Sequence, residues 1–311
     1  MISNEATKRV EALPTYTRLI PESQEIGSQY KVQKDWKLVE VLSFYLGGVG
    51  TGLYLLSQAF DYVIGLIVGY LLVVVFKNGA HLLASSKPFR AMGVLRKPGT
   101  SWISRGAYSI FIFAVLGLVD IAFRTGMAAT ENAMLVSVVS ILTAIAAFFI
   151  MAYVGFVFAE ARNIGFWNSP IIPVLIISYS FCMGYALFLV LAPLTANQFD
   201  YPALARQFLL TLAATTLLIF ILLTVVKRMT KSAQQAASML ITGKFSMMFG
   251  FGVIIAGLLV PICIVGYYLA NAAAASGSLL SIAGILTIIG GLLFEVCLIS
   301  AGVYRPIVDA D

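Results

Sequence analysis

Three proton-exchanging side chains, Glu40, His81 and Glu160, stand at the ends of three different apolar runs. Arg105 and Tyr108 stand at the start of a fourth. Carboxylates and an imidazole take up and release protons near neutral pH. A guanidinium and a phenol donate hydrogen bonds. Such a set suits a ligand whose oxygens are protonated and deprotonated in turn. The run Glu40-x-x-Ser43-x-x-x-Gly47 adds a hydroxyl, because residues 40, 43 and 47 share one face at helical spacing.

The elements that must position these groups are eight long apolar runs, at about 38–60, 62–83, 106–127, 133–159, 170–193, 204–226, 246–270 and 279–303. The chain is 60% hydrophobic and 11% charged, where a soluble domain carries about 25% charged residues. A soluble enzyme is excluded. The runs are continuous and do not alternate, so they are helices rather than barrel strands. The expected fold is an all-α polytopic membrane protein of eight transmembrane helices arranged as two four-helix bundles. Residues 1–35 form a polar tail, too polar to span and without the pattern of a cleavable signal peptide. Residues 36–160 form the first bundle, and residues 161–311 form the second bundle with the C-terminal tail.

Of the 20 Lys and Arg residues, seventeen fall on the side of the N-terminus, here side A. Six are in the tail, and Lys87, Arg90, Arg96, Lys97 and Arg105 are in the second loop. Arg162, Lys227, Arg228, Lys231, Lys244 and Arg305 complete the set. The opposite side B holds Arg124 and Arg206, and Lys77 lies within a span. The positive-inside rule puts side A and both termini in the cytoplasm, with the chain multi-pass in the cell's inner membrane. A competing reading is that the basic loops dock an acidic partner. The first span starts at side A and the second and fourth end there. Glu40, His81 and Glu160 therefore lie at similar depth, with Arg105 and Tyr108 beside them.

Other polar groups within the spans have plainer readings beside functional ones. Asp120 and Arg124, at i, i+4, either pair near side B or belong to a proton path. Lys77 either snorkels to the side-A interface or serves a site. Glu295 awaits a partner on another helix. The glycines of the first span either let helices approach closely or leave room for a flat ligand. The polar stretch between Lys227 and Lys244 suits an interfacial helix. Cys182, Cys263 and Cys297 all fall in apolar runs and read as small hydrophobes. Three cysteines without a C-x-x-C pair do not hold an iron–sulfur cluster. A single histidine excludes a bis-histidine haem. Redox metals, if electrons pass, belong to another subunit.

A quinone meets these conditions. Its head group needs a donor or acceptor at each carbonyl and a proton route to water, and its tail needs an opening to lipid.

Several stretches carry a resemblance to the NrfD/PsrC family of polysulfide-reductase-type membrane subunits. They are Trp36 with the glycine-rich FYLGGVGTGLYLL, His81-Leu82 with Lys87-Pro88-Phe89-Arg90, and Thr100-Ser101-Trp102-Ile103-Ser104-Arg105-Gly106. Tyr153-Val154-Gly155, Phe166-Trp167-Asn168-Ser169-Pro170 and Pro173 follow. The Ser-Trp-x-Ser-Arg element is also similar to dimethyl-sulfoxide-reductase anchor subunits. The likeness is densest over about residues 36–190, and the last four spans match in hydropathy and helix count. It implies a subunit that binds menaquinone or another quinone among its first four helices. It also implies a four-cluster iron–sulfur partner, a molybdopterin-type catalytic subunit and no nucleic acid. By the same resemblance Tyr153 contacts the quinone. Glu40 and Ser43 stand where the family has an asparagine and a histidine in the pocket. The best-known relatives face their soluble subunits outward, against the positive-inside count here.

The expected site therefore uses Glu40 and Glu160 for proton exchange, and Ser43, His81, Arg105, Tyr108 and Tyr153 for quinone binding. Arg90, Trp102 and Trp167 shape the docking surface. The rival functions are a secondary transporter, which calls for broken helices in both halves, and a purely structural anchor. A fluorescent reporter fused after Asp311 should fold on the cytoplasmic side, and a periplasm-dependent one should stay inactive there. The reverse pattern would overturn the orientation.

Overall fold

The computed structural model describes residues 30–84, 93–128, 130–195, 199–271 and 276–306. Arg90, the Ala272–Ala275 run and most of the N-terminal tail lie outside the described residues. Within them, eight helices are long and apolar enough to cross a membrane. They are α1 (Leu38–Ala59), α2 (Val63–Leu83), α3 (Trp102–Arg124), α4 (Ala133–Glu160), α5 (Ile171–Leu194), α6 (Tyr201–Val226), α8 (Met248–Ala270) and α9 (Ser278–Ser300). Between α6 and α8 lies a short helix, α7 (Lys231–Ile241), in the stretch read as an interfacial helix. It buries Ala233, Ala236, Ala237 and Leu240 and leaves Gln234 and Gln235 exposed.

Helices form because hydrocarbon offers no partner to a backbone N–H or C=O, so each run must satisfy its own. Their starts are capped by short polar side chains. Asn132 Oδ1 accepts from Leu135 N at 3.0 Å, and Asp200 Oδ1 accepts from Ala203 N at 2.9 Å. Pro170 immediately precedes α5, and Pro173 sits in its first turn, where no intrahelical donor is lost. The third helix begins four residues before the expected boundary, at Trp102, because Ser101 accepts from Ser104 N and caps it there.

Among the described residues, two of the spans contain π segments. In α2 the residues Leu72–Lys77 take π hydrogen bonding between two α segments. In α8 the same occurs over Met248–Leu259, ahead of Pro261.

Helix α1 holds the assembly together through its glycines. A Cβ at Gly50 would lie 2.8 Å from Val73 Cγ2 and 2.9 Å from the Gly69 carbonyl of α2. A Cβ at Gly52 would run into the Ser180 carbonyl oxygen of α5, and one at Gly184 would lie 2.8 Å from Gly52 Cα. On the far side, Gly257 and Gly290 bring α8 against α9 in the same way. Helix α5 packs on α1, α4, α6 and α9.

Both ends of the described chain are tied at side A. Strands β1 (Lys31–Val32) and β2 (Val303–Tyr304) pair antiparallel, Lys31 opposite Tyr304 and Val32 opposite Val303. Gln33 N donates to Gly302 O at 2.8 Å, and Arg305 N donates to Asn163 O at 2.8 Å. The Tyr304 hydroxyl donates to Asp35 Oδ2 at 2.7 Å. Burial, and then the hydrogen bond to Asp35 and its charge, push this phenol up to about 12. The clasp therefore keeps its proton at neutral pH.

Gly52→Val should destabilise the protein by roughly 1–3 kcal/mol through overpacking. Gly266→Ala, which meets nothing within 4 Å, should leave the melting temperature in detergent unchanged or slightly raised. Equal melting of Gly52→Val and the parent would contradict the close α1–α5 approach.

Candidate functional site

A cavity of about 420 Å³ lies among the side-A ends of α1 to α4. Ligand pockets typically measure about 300–1,000 Å³. Its polar lining comes from Trp36, Glu40, Lys77, Asn78, His81 and Tyr153. Phe44, Val94, Ile103, Ala107, Ile110 and Val157 supply the apolar walls. Of the residues expected to form the site, the structure brings Glu40, His81 and Tyr153 to this one space. Ser43 stands directly behind His81.

Ser43 is buried and sets the imidazole. Its Oγ lies 3.1 Å from the Lys77 carbonyl and 2.9 Å from His81 Nδ1. The hydroxyl has one proton, and a carbonyl can only accept. Ser43 therefore donates to Lys77 O and accepts from His81 Nδ1–H. This network assigns the tautomer in which Nε2 is the acceptor. The His81 ring stands edge-on to Phe44, with centroids 6.0 Å apart. Phe44 belongs to an aromatic cluster with Trp36, Phe158 and Trp167 at centroid distances of 5.1–5.7 Å.

Glu40 has a second task. Its Oε2 accepts from Lys37 N at 2.9 Å, which closes the first turn of α1. The side chain is half-buried, between the helix start and the cavity.

Glycines set Tyr153. A Cβ at Gly106 of α3 would lie 2.6 Å from Tyr153 Cε2, so α3 can pass flat against the ring. Gly155 lies against Pro173 of α5, where a Cβ would meet Pro173 Cα at 2.5 Å. Both glycines of the Tyr-x-Gly and Arg-Gly elements thus serve to place one phenol.

Three expected residues take other places. Arg105 turns away from the cavity. Ile103, Ala107 and Ile110 line it at i, i+4 and i+7, and residue 105 is two positions, about 200°, from Ile103 around the helix. Its guanidinium donates to Pro98 O at 3.0 Å and Gly99 O at 2.7 Å, and lies 4.4 Å over the Trp102 ring. Tyr108 donates to Leu95 O at 3.2 Å, and Ser104 Oγ donates to Val94 O. The Ser-Trp-x-Ser-Arg element is therefore a clasp that holds the 93–101 loop, with Val94 closing one side of the cavity. Glu160 is exposed at the last residue of α4. It is about 10 Å beyond Tyr153 along the helix and outside the cavity.

The aromatic pair expected on the docking surface divides. Trp102 stacks on Phe156 at 4.2 Å and stays partly exposed. Trp167 is 2% exposed, and its Nε1 donates to Leu298 O at 2.8 Å. The docking-surface reading of Trp167 is corrected: the indole is a wedge between the α4–α5 turn and α9. Arg90 lies outside the described residues.

The sequence left Lys77 open between snorkelling and serving a site. It is 1% exposed, lines the cavity, and holds its Nζ 5.6 Å from the Tyr153 ring centroid. The available signal was its i, i+4 spacing to His81.

Asp120 and Arg124 do pair, with Nε 3.2 Å from Oδ1. The buried carboxylate also accepts from Tyr54 OH at 2.8 Å, Gln58 Nε2 at 3.1 Å and Ser140 Oγ. Arg124 reaches Asp61 as well. This cluster ties α1, α3 and α4 near side B. Glu295 is 4% exposed beside a water-sized space of about 20 Å³ shared with Tyr45, Tyr179 and Ser180. Its Oε1 has no hydrogen-bond partner among the described residues.

Fold and site together define an integral membrane protein with a largely apolar cavity, edged by a few polar groups, at the side-A helix ends. The chain belongs to the family described as polysulphide reductase, NrfD, whose family model matches residues 28–306. That match takes in the last four spans along with the first. Proteins of this family are membrane subunits of oxidoreductase complexes and partner with iron–sulfur and catalytic subunits. No curated protein matches the sequence.

Asp120→Ala should lower stability by on the order of 3 kcal/mol, because it strips the partners from Tyr54, Gln58 and Arg124 at once. Asp61→Asn, at an exposed carboxylate, should cost less than about 1 kcal/mol. Thermal melting of the two variants in detergent measures the difference. Equal losses would show that the buried cluster does not hold α1, α3 and α4.

Proposed function

We propose that this chain is the quinone-reactive membrane subunit of its oxidoreductase complex, working at the side-A cavity. The observation that carries the reading is the convergence of Glu40, His81, Lys77 and Tyr153 on one 420 Å³ space at a membrane surface. The fit is chemical as well as spatial. The space offers donors and an acceptor for two oxygens, apolar walls for a ring, and a carboxylate at its outer edge.

A menaquinone or other quinone held there supplies the two-electron, two-proton chemistry, with electrons exchanged through an iron–sulfur subunit on the same face. In this reading Tyr153 donates to one carbonyl oxygen. His81 Nε2 takes the proton of a quinol hydroxyl, and Ser43 keeps the imidazole in the accepting tautomer. Glu40 passes the proton outward, since its carboxylate touches both the cavity and the start of α1. Glu160 enters only as a surface carboxylate in exchange with water. Arg105 and Tyr108 act through the 93–101 loop rather than on the ligand. Trp102 and Arg90 remain the proposed contacts for the soluble partner, which a molybdopterin-type catalytic subunit completes. The positive-inside count favours the cytoplasm for that face.

The test is gentle purification from native membranes, followed by assay of the assembled complex. An iron–sulfur subunit and extractable quinone should accompany the chain. Tyr153→Phe and Glu40→Gln should each lower quinol-linked turnover by roughly a hundredfold. Turnover of the soluble subunits with an artificial electron carrier should be unchanged. Full quinol-linked activity in both variants, with assembly intact, would instead make the chain a structural anchor.

A further inference from the structure

We propose that Lys77 is a ligand-contacting residue of the cavity, donating from Nζ to the deeper oxygen of the ligand while His81 Nε2 accepts at the shallower one. The inference rests on reading the cavity as a quinone site and adds a second donor, beside Tyr153, at the inner carbonyl.

Lys77 lies within a membrane span yet is 1% exposed. An ammonium buried in hydrocarbon is costly unless it is paired. Among the described residues no carboxylate lies within ion-pair distance of Lys77, since the ion pairs there are those of Arg124. Its Nζ donates to no oxygen in the described hydrogen bonds. What it meets is the face of Tyr153 at 5.6 Å and the open cavity. Three donors and no acceptor therefore point into a space built to hold something else.

The fold keeps the side chain inward at two separate places. A snorkelling lysine one or two turns from a helix end needs only to extend its stem toward water. Here the π segment Leu72–Lys77 ends at this residue, and such segments re-aim the side chains that follow. Across the interface, Gly47 of α1 opens the slot for the stem. A Cβ there would lie 2.9 Å from Lys77 Cε and 3.0 Å from Cδ. The Lys77 carbonyl also takes the Ser43 hydroxyl. That same bond leaves His81 as an acceptor, so one residue's backbone sets the acceptor and its side chain supplies the donor. Lys77 and His81 are separated by about 6 Å along α2. Nζ can donate to the inner oxygen of the quinone or of the quinol, and Nε2 can accept from the outer hydroxyl of the quinol.

The experiment uses the native complex in detergent and a naphthoquinone isotope-labelled at its carbonyl carbons, read by binding titration and infrared difference spectroscopy. In the parent, one carbonyl stretch of the bound probe should be lowered relative to the free probe by the bonds from Lys77 and Tyr153. Lys77→Met should move that band part of the way back toward the free position and weaken binding by roughly ten- to hundredfold. Unchanged affinity and bands in Lys77→Met would overturn the assignment and leave the quinone reading standing. A parent complex that binds no naphthoquinone would remove the quinone reading and this inference with it. Should Lys77→Met fail to assemble, Lys77→Arg carries the test, because a planar fork bonds with different geometry. A changed carbonyl frequency then supports the contact, and an unchanged one overturns it.

Discussion

Helix α1 lacks side-chain atoms where two neighbouring helices need to touch its backbone. Gly48 and Gly52 accept Ser180 and Gly184 of α5, Gly50 accepts Gly69 of α2, and Gly47 accepts the stem of Lys77. Between helices in lipid the hydrophobic effect gives no net pull, so association rests on close packing and on hydrogen bonds. Removing Cβ atoms from one face allows both. The Ser43 hydroxyl can reach the α2 backbone only because the helices are this near. The position of His81, and so the chemistry open to the cavity, follows from that approach.

Two polar clusters at opposite ends of the same four helices differ in what they leave unmade. At side B, Asp120 receives hydrogen bonds from three side chains and pairs with Arg124, so its cost of burial is met within the protein. At side A, Lys77 and the His81 acceptor face open volume. The first arrangement holds helices together. The second lines the cavity. Polar residues thus carry a structural role in one place and, in the proposed reading, a binding role in the other, and the distinction lies in which valences the protein itself fills.

The cavity is closed from the side by a loop rather than by a helix. Ser104, Arg105 and Tyr108 all donate to carbonyls of residues 94–99. The conspicuous Ser-Trp-x-Ser-Arg element acts on the site through this loop. Nearby, the β1–β2 pair, the α4–α5 turn and the C-terminal segment are joined by Gln33, Trp167 and Arg305 into one surface layer. Site and layer share Trp36, which lines the cavity and packs on Trp167. A partner seated on this face would lie one aromatic contact from the ligand.

Depth in the membrane was legible in the residues, and facing was not. Hydropathy sets where a helix enters and leaves the hydrocarbon, so eight spans, the common side-A level of Glu40 and His81, and the polar end of α4 could all be read in advance. Facing depends on single residues, because each step along a helix turns the side chain by about 100°. Arg105 and Tyr108 sit at the right depth and point elsewhere. Glu160 is in phase with Tyr153 but about two turns too far out. Trp167 fills a gap between segments more than a hundred residues apart. Lys77 was left open between two readings because a π segment and a glycine on another helix decide where its stem goes. The sequence by itself determined the class of fold, the level of the site and most of its residue types. Only the tertiary structure decided which of those residues share the cavity, because that depends on helix rotation and contact, which hydropathy does not encode.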